Sequence, residues 1–208
     1  MSSINRAIQW FGVVSIVPGI ILPFYNQFLH GGRDAASIIP RSAAYAQAHM
    51  LGAVCSLLLI FGLTAIYLKH AERIGKKGLI SFMLVVFAQG LFACLLWGDG
   101  FFNPIFAKYD PVLQTHIHSS EFFSFGIQTL GFAVVLLSLV PLLYIIAYTF
   151  FGVLIVRAGI LPKMIGFLLI IGSILLGFAI MIPQWLESLG YAAIGGAIAW
   201  AGYLLWKK

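Results

Sequence analysis

The amino-acid sequence predicts an all-α fold, a polytopic bundle of six transmembrane helices with both termini in the cytoplasm. Three observations predict it. The 208-residue chain is 62% hydrophobic and only 9% charged, whereas a soluble domain carries roughly a quarter charged residues. Its apolar runs follow one another almost without pause, each near the ~20 residues that cross a bilayer core. Once six runs are marked, nine of the twelve Lys and Arg residues fall on one side and three on the other, as the positive-inside rule requires.

The spans follow in order. Span one runs from about Ala7 to Phe28 and contains Pro18 and Pro23. It resembles a signal peptide at its start, but the apolar run continues past both prolines without a small-x-small cleavage site, so it reads as a retained helix. Span two covers about Ala44 to Leu68, and a short basic loop from Lys69 to Lys77 leads to span three, about Gly78 to Trp97. A longer loop, Asp99 to Glu121, precedes span four. Span five covers about Lys163 to Ile182 and span six about Leu189 to Trp206. No composition shift or linker divides the chain, so residues 1–208 form one transmembrane domain.

Span four is the difficult one. Between Glu121 and Arg157 lie 35 uncharged residues, about 52 Å as a helix against the ~30 Å of a bilayer core. Either one helix is long and tilted, or the chain turns near Pro141 and crosses twice. Six spans put Arg6, Lys69, Arg73, Lys76, Lys77, Arg157, Lys163, Lys207 and Lys208 together, and leave Arg33, Arg41 and Lys108 opposite. Seven spans split the basic residues five against seven and leave the Pro141 turn with no charge to hold it in water. The charge pattern therefore selects six. Trp97 and Trp185 at outer ends, with Trp10 and Trp206 at inner ends, fit an aromatic belt.

Composition excludes some classes of function. The formal net charge of +6 is explained by topology, because the basic residues cluster at span ends facing an anionic leaflet. No basic patch with interleaved aromatics suggests nucleic acid. Cys55 and Cys94 lie inside spans, lack metal-type spacing, and read as packing residues. HExxH, P-loop, GxSxG and CxxCH signatures are absent. On span six, Ala193, Ala197 and Ala201, flanked by Ala192 and Gly196, recur at the spacing that lets helices approach closely. That stripe serves either packing within the bundle or a homo-oligomer face on the last helix.

The ionisable residues point to the outer side. His30, His49, His116 and His118 collect there with Asp34, Asp99, Asp110, Glu121 and Glu187, while His70 and Glu72 lie inside. Ionisable groups at membrane depth are costly and tend to face a cavity. On a helix, His49 shares a face with Ser42, Tyr45, Ala46, Gly52, Ala53 and Ser56, whereas Gln47 points away. Asp110-Pro111 has the form of a helix cap followed by a first-turn proline. A helix starting there pairs His118 with Glu121 and aligns Gln114, His118, Glu121 and Gln128; an extended segment instead turns His116 and His118 the same way. Asp99, in Trp97-Gly98-Asp99-Gly100, either solvates a helix end or orients a histidine. Gln89 and Gln128 lie deeper and are expected to make interhelical hydrogen bonds.

Three stretches together carry a resemblance: His49-Met50-Leu51-Gly52, the basic turn from Lys69 to Lys77, and Arg157-Ala158-Gly159-Ile160-Leu161-Pro162. On these the chain resembles small bacterial multi-pass integral membrane proteins. The likeness implies the six-span architecture and carries no activity with it.

The leading functional reading is a non-enzymatic protein of the inner (plasma) membrane that binds or moves a small molecule, ion or lipid. Tyr45, His49, Asp99, His118 and Glu121 would line its outward-facing pocket. A second reading is a metal-dependent membrane enzyme, with His49, His116 and His118 holding zinc and Glu121 or Asp99 as general base. A third is a haem protein with His49 and either His116 or His118 as axial ligands. The partners expected are the lipid bilayer and a second copy of the chain, with no nucleic acid.

Overall fold

The computed structural model describes residues 3–26, 35–117 and 132–207, and among these all regular structure is helical, with no strand. The elements are α1 (Ser3–Phe24), the short α2 (Ala35–Ile38), α3 (Ser42–Tyr109), α4 (Pro111–Ile117), α5 (Phe132–Ala158), α6 (Lys163–Gly177) and α7 (Gln184–Trp206). Four helical stretches are long and apolar enough to cross a membrane: Ser3–Phe24, Ala36–Tyr109, Leu139–Ala158 and Gln184–Trp206. The second is two arms, 42–74 and 76–109, folded back at Gly75 (φ 53°, ψ −145°). Helix α6 is also apolar but has only 15 residues; a 3-10 turn, Ala179–Met181, prolongs it.

The expected loop from Lys69 to Lys77 is therefore almost entirely helical. Lys, Arg, Ala and Glu are strong helix formers, so both arms run to the reversal itself. That reversal uses the left-handed backbone open to glycine at little cost. At the other end of α5, Gly159 (φ 63°) closes the helix, its N–H bonding the Ile155 carbonyl at 3.2 Å. Pro162 then precedes α6.

Two boundaries differ from expectation. The second arm of α3 does not end near Trp97 but continues through Asp99 and Pro104 to Tyr109. Tertiary packing explains the extension: Ala107 joins Ile38 of α2 and Tyr45 of the first arm in a small separate core. Helix α7 begins at Gln184 rather than Leu189, which takes Glu187 out of a loop and buries it in the first turn. Pro141 lies inside continuous α5 and marks no turn.

The helices close a ring: α1 packs on α3 and α7, α7 on α6, α6 on α5, and α5 on α3. Small residues let the backbones approach. A Cβ on Gly19 would come within 2.5 Å of the Gly195 carbonyl oxygen, and one on Gly152 within 2.6 Å of that of Gly166. On α7 the faces divide. Gly195, Ala199 and Gly202 meet α1, while Gly190, Ala193 and Ile194 meet α6 at Gly172. Of the small-residue stripe on the last helix, Ala197 and Ala201 are fully buried in the bundle and Ala193 meets α6, whereas a Cβ on Gly196 would meet nothing within 4 Å. Cys55 is buried as expected, but Cys94 is exposed on the outside of the bundle, and both are free thiols.

Candidate functional site

The first arm of α3 supplies the site's central residue. His49 is buried, 1% exposed, as are Tyr45, Gly52, Ala53 and Ser56 on its face, whereas Gln47 is exposed. Most of the face expected from helical spacing is thus the inward one, with Ser42 and Ala46 half-buried at its edge. The His49 Nδ1 lies 3.0 Å from the Tyr45 carbonyl oxygen. A carbonyl only accepts, so Nδ1 carries a proton. The backbone of Tyr45 therefore orients the ring.

Aromatic rings enclose this imidazole. The Tyr45 ring lies 4.1 Å away centroid to centroid, tilted by 33°, and the Tyr25 ring meets it edge-on at 5.8 Å. The second arm closes the third side. A Cβ on Gly100 would stand 2.8 Å from the His49 Cβ, so only glycine permits the arms to come this near. One turn further along, buried Asn103 donates from Nδ2 to the Tyr45 hydroxyl at 3.0 Å. Asp99, next to Gly100, is half-buried at the same depth as His49. The structure thus brings Tyr45, His49 and Asp99 to one level on two facing arms. Tyr45→Phe is expected to leave the Asn103 amide without its acceptor and to lower stability by about 1 kcal/mol, read as a lower unfolding temperature in detergent.

The expected cap of the following helix is present: Asp110 Oδ1 accepts from the Leu113 N–H at 3.0 Å, with Pro111 in the first turn of α4. His116 lies in the last turn of α4, and its side chain, like His118, Glu121 and Gln128 altogether, is outside the described residues. Among the described residues no group of three His, Cys, Asp or Glu side chains is placed to hold a metal ion. His49 by itself offers one ligand.

Two polar clusters were not read from the sequence in full. At mid-bundle, buried Gln89 donates from Nε2 to the Ser56 hydroxyl (2.7 Å) and carbonyl (3.0 Å). Its Oε1 accepts from the Tyr144 hydroxyl at 3.1 Å and from that of Tyr148. The interhelical bond expected of Gln89 is there, but the two tyrosines of α5 were missed, although their i, i+4 spacing in an otherwise apolar helix was a visible signal. Where α1 meets α7, Asn26 Nδ2 donates to Ser188 Oγ (2.9 Å) and Gln184 Nε2 to the Asn26 carbonyl (2.8 Å). Rings connect these clusters: Tyr25 meets Tyr191 at 5.9 Å, Tyr191 meets Phe92 at 6.0 Å, and Phe92 meets Tyr144 at 4.9 Å.

At the Gly75 end, His70 is fully buried, with Nδ1 2.7 Å from the Ile66 carbonyl oxygen. Nearby, Arg73 ties the two ends of the ring together by donating to the Ala158 carbonyl at 2.6 Å.

Comparisons with protein-family models, with curated proteins and with solved structures find no match to this chain.

Proposed function

We propose that this chain is a six-span protein of the plasma membrane, with both termini cytoplasmic, that binds or moves a small molecule, ion or lipid through an outward-facing pocket. Tyr45, His49 and Asp99 line that pocket, and His118 and Glu121 complete it from the segment after α4. The spans are α1, the two arms of α3, α5, α6 with its 3-10 extension, and α7. Continuous helix through Pro141 supports six spans over seven. Exposed Trp10, Trp97, Trp185 and Trp206 suit lipid interfaces. The observation that carries the functional reading is His49, a buried imidazole held by the Tyr45 carbonyl amid tyrosine rings. Such a group at membrane depth is costly to keep without a role.

One feature of the same residue favours the metal or haem reading as the alternative. Histidines that ligate metals usually donate their second nitrogen to a carbonyl or carboxylate, as His49 Nδ1 does. Zinc or haem would then need His116 or His118 as a further ligand. Metal analysis and a visible spectrum on the purified protein, repeated for His49→Ala and His118→Ala, separate the two. Stoichiometric zinc or a haem band lost in both variants would replace the binding reading with a catalytic or redox one. A metal-free, colourless protein supports the pocket. Orientation is tested by membrane-impermeant thiol labelling of single cysteines at Ser37 and Lys76 in a Cys55→Ala, Cys94→Ala background. Labelling of the Ser37 site alone in intact cells is expected, and the reverse pattern would overturn the topology.

A further inference from the structure

Two turns are held side by side at the Gly75 end of the bundle. Arg73, in the last turn of the first arm of α3, donates from Nη1 to the Ala158 carbonyl at 2.6 Å, which ties the α3 reversal to the end of α5. Gly75 (φ 53°) and Gly159 (φ 63°) make the two turns. A Cβ on either would meet nothing within 4 Å, so both turns border open space. A Cβ on Gly78 would instead strike the Ile74 side chain, so the α3 reversal closes tightly on itself.

Five cations stand on these turns: Arg73, Lys76 and Lys77 on the first, Arg157 and Lys163 on either side of the second, all exposed. Among the described residues, Lys76, Lys77, Arg157 and Lys163 make no hydrogen bond or ion pair, and Arg73 makes only its bond to Ala158. Glu72 is the single acid in residues 69–77 and 157–163, and it pairs with none of them. A guanidinium has five N–H donors, so Arg73 keeps donors to spare once the carbonyl is served. Like charges gathered this way repel one another, and an anion among them removes that cost. Below the cations, the two flanking helices are apolar on the same outward face. From Lys76 the stripe continues through Ile80, Met83 and Phe87, and from Lys163 through Phe167, Ile171 and Ile174, all exposed. Helix α5 lies between them, packed on both α3 and α6.

We propose that the seam between the α3 reversal and the α5–α6 turn binds the headgroup of one anionic phospholipid. Its phosphate sits among the cations of the two turns, where arginine forks bond phosphate oxygens, and its acyl chains lie along the apolar stripes beside α5. A free anion would use the cations and leave the stripes unused. A zwitterionic headgroup would bring a further cation into the cluster, so a net negative charge is selected. Basic residues at a membrane surface attract anionic lipid in general; the bond from Arg73 to Ala158 adds a fixed arrangement on one side of the bundle. Arg6 and Lys207, at the same end, belong instead to α1 and α7, and the Lys207 Nζ lies 4.6 Å over the Tyr203 ring. The site rests on the membrane-spanning reading above and not on the outward pocket.

Native mass spectrometry of the purified protein in detergent, titrated with phosphatidylglycerol, tests the site. One lipid retained saturably is expected, and phosphatidylcholine should be retained far less at the same concentration. Lys76→Gln and Lys163→Gln, one from each turn, should each weaken phosphatidylglycerol binding about fivefold, and the two losses should multiply in the double variant. Neither side chain bonds to the rest of the described protein, so both variants should unfold at the wild-type temperature without lipid. Lys207→Gln should leave the affinity unchanged. No loss in the first two variants, or equal losses in all three, would overturn the site in favour of diffuse attraction, as would phosphatidylcholine bound as tightly. Glycerol phosphate separates the sources of the phosphate: binding much weaker than that of the lipid supports the site, and equal binding sinks the lipid assignment. None of these readouts involves His49, and thiol labelling reports the spans without lipid, so failure here is distinguishable from failure of either earlier reading.

Discussion

Gln89→Leu is expected to lower stability by about 2–3 kcal/mol, the larger of the polar effects in this protein. The leucine fits the volume but removes both halves of a four-residue cluster. Oε1 accepts from the hydroxyls of Tyr144 and Tyr148, and Nε2 donates to Ser56. All four residues are buried, so three hydroxyls lose the Gln89 amide at once and none gains water; Tyr144 and Tyr148 keep only each other. Single interhelical bonds in membranes are worth only about 0.6 kcal/mol on average, and Tyr144→Phe, which removes its own hydroxyl and leaves Tyr148 on Gln89, should therefore cost about 1 kcal/mol. Unfolding in detergent, followed by tryptophan fluorescence, reads both. Equal effects for the two variants would show that Gln89 does not organise the cluster.

The second large effect separates two neighbouring glycines. Gly195→Val should destabilise by about 3 kcal/mol or more, whereas Gly196→Ala should be neutral or gain up to about 1 kcal/mol from helix propensity. A Cβ on Gly195 would run into the carbonyl oxygen of Gly19, backbone that only a shift of α1 can clear. A Cβ on Gly196 meets nothing within 4 Å. The wedge also separates Tyr25 from Tyr191, since both stand on the same two helices, so the surroundings of His49 should loosen in Gly195→Val. Melting temperatures of both variants, with chemical reactivity of His49 as the local probe, check this. A stable Gly195→Val would mean that α1 and α7 do not depend on that approach.

Much of the fold was legible because long, nearly uncharged apolar runs leave few choices but helix. Apolar length and the distribution of Lys and Arg specify where helices lie, and continuous α5 through Pro141 agrees with a single long helix. The inward face of His49 followed from helical spacing alone, as did the cap at Asp110. Boundaries were less legible. Nothing in the sequence from Gly98 to Tyr109 demands a helix; it is drawn out by Ala107 packing on Tyr45 and Ile38. The reversal at Gly75 falls within the expected basic loop, but the helix that runs up to it on both sides was not read.

The sequence by itself determined the helical class, the number of apolar runs, and that one histidine would face inward at the start of the second. Those are properties of periodicity and charge, which act locally along the chain. Only the tertiary structure decided that Gly100 meets His49 and Asn103 meets Tyr45 from the second arm, and that Tyr144 and Tyr148 share Gln89. The hydrogen bonds among these join residues 55 to 59 positions apart. Such separations depend on how helices turn against one another, and interhelical rotation is set by which small residues meet, a matter of shape that no single helix encodes.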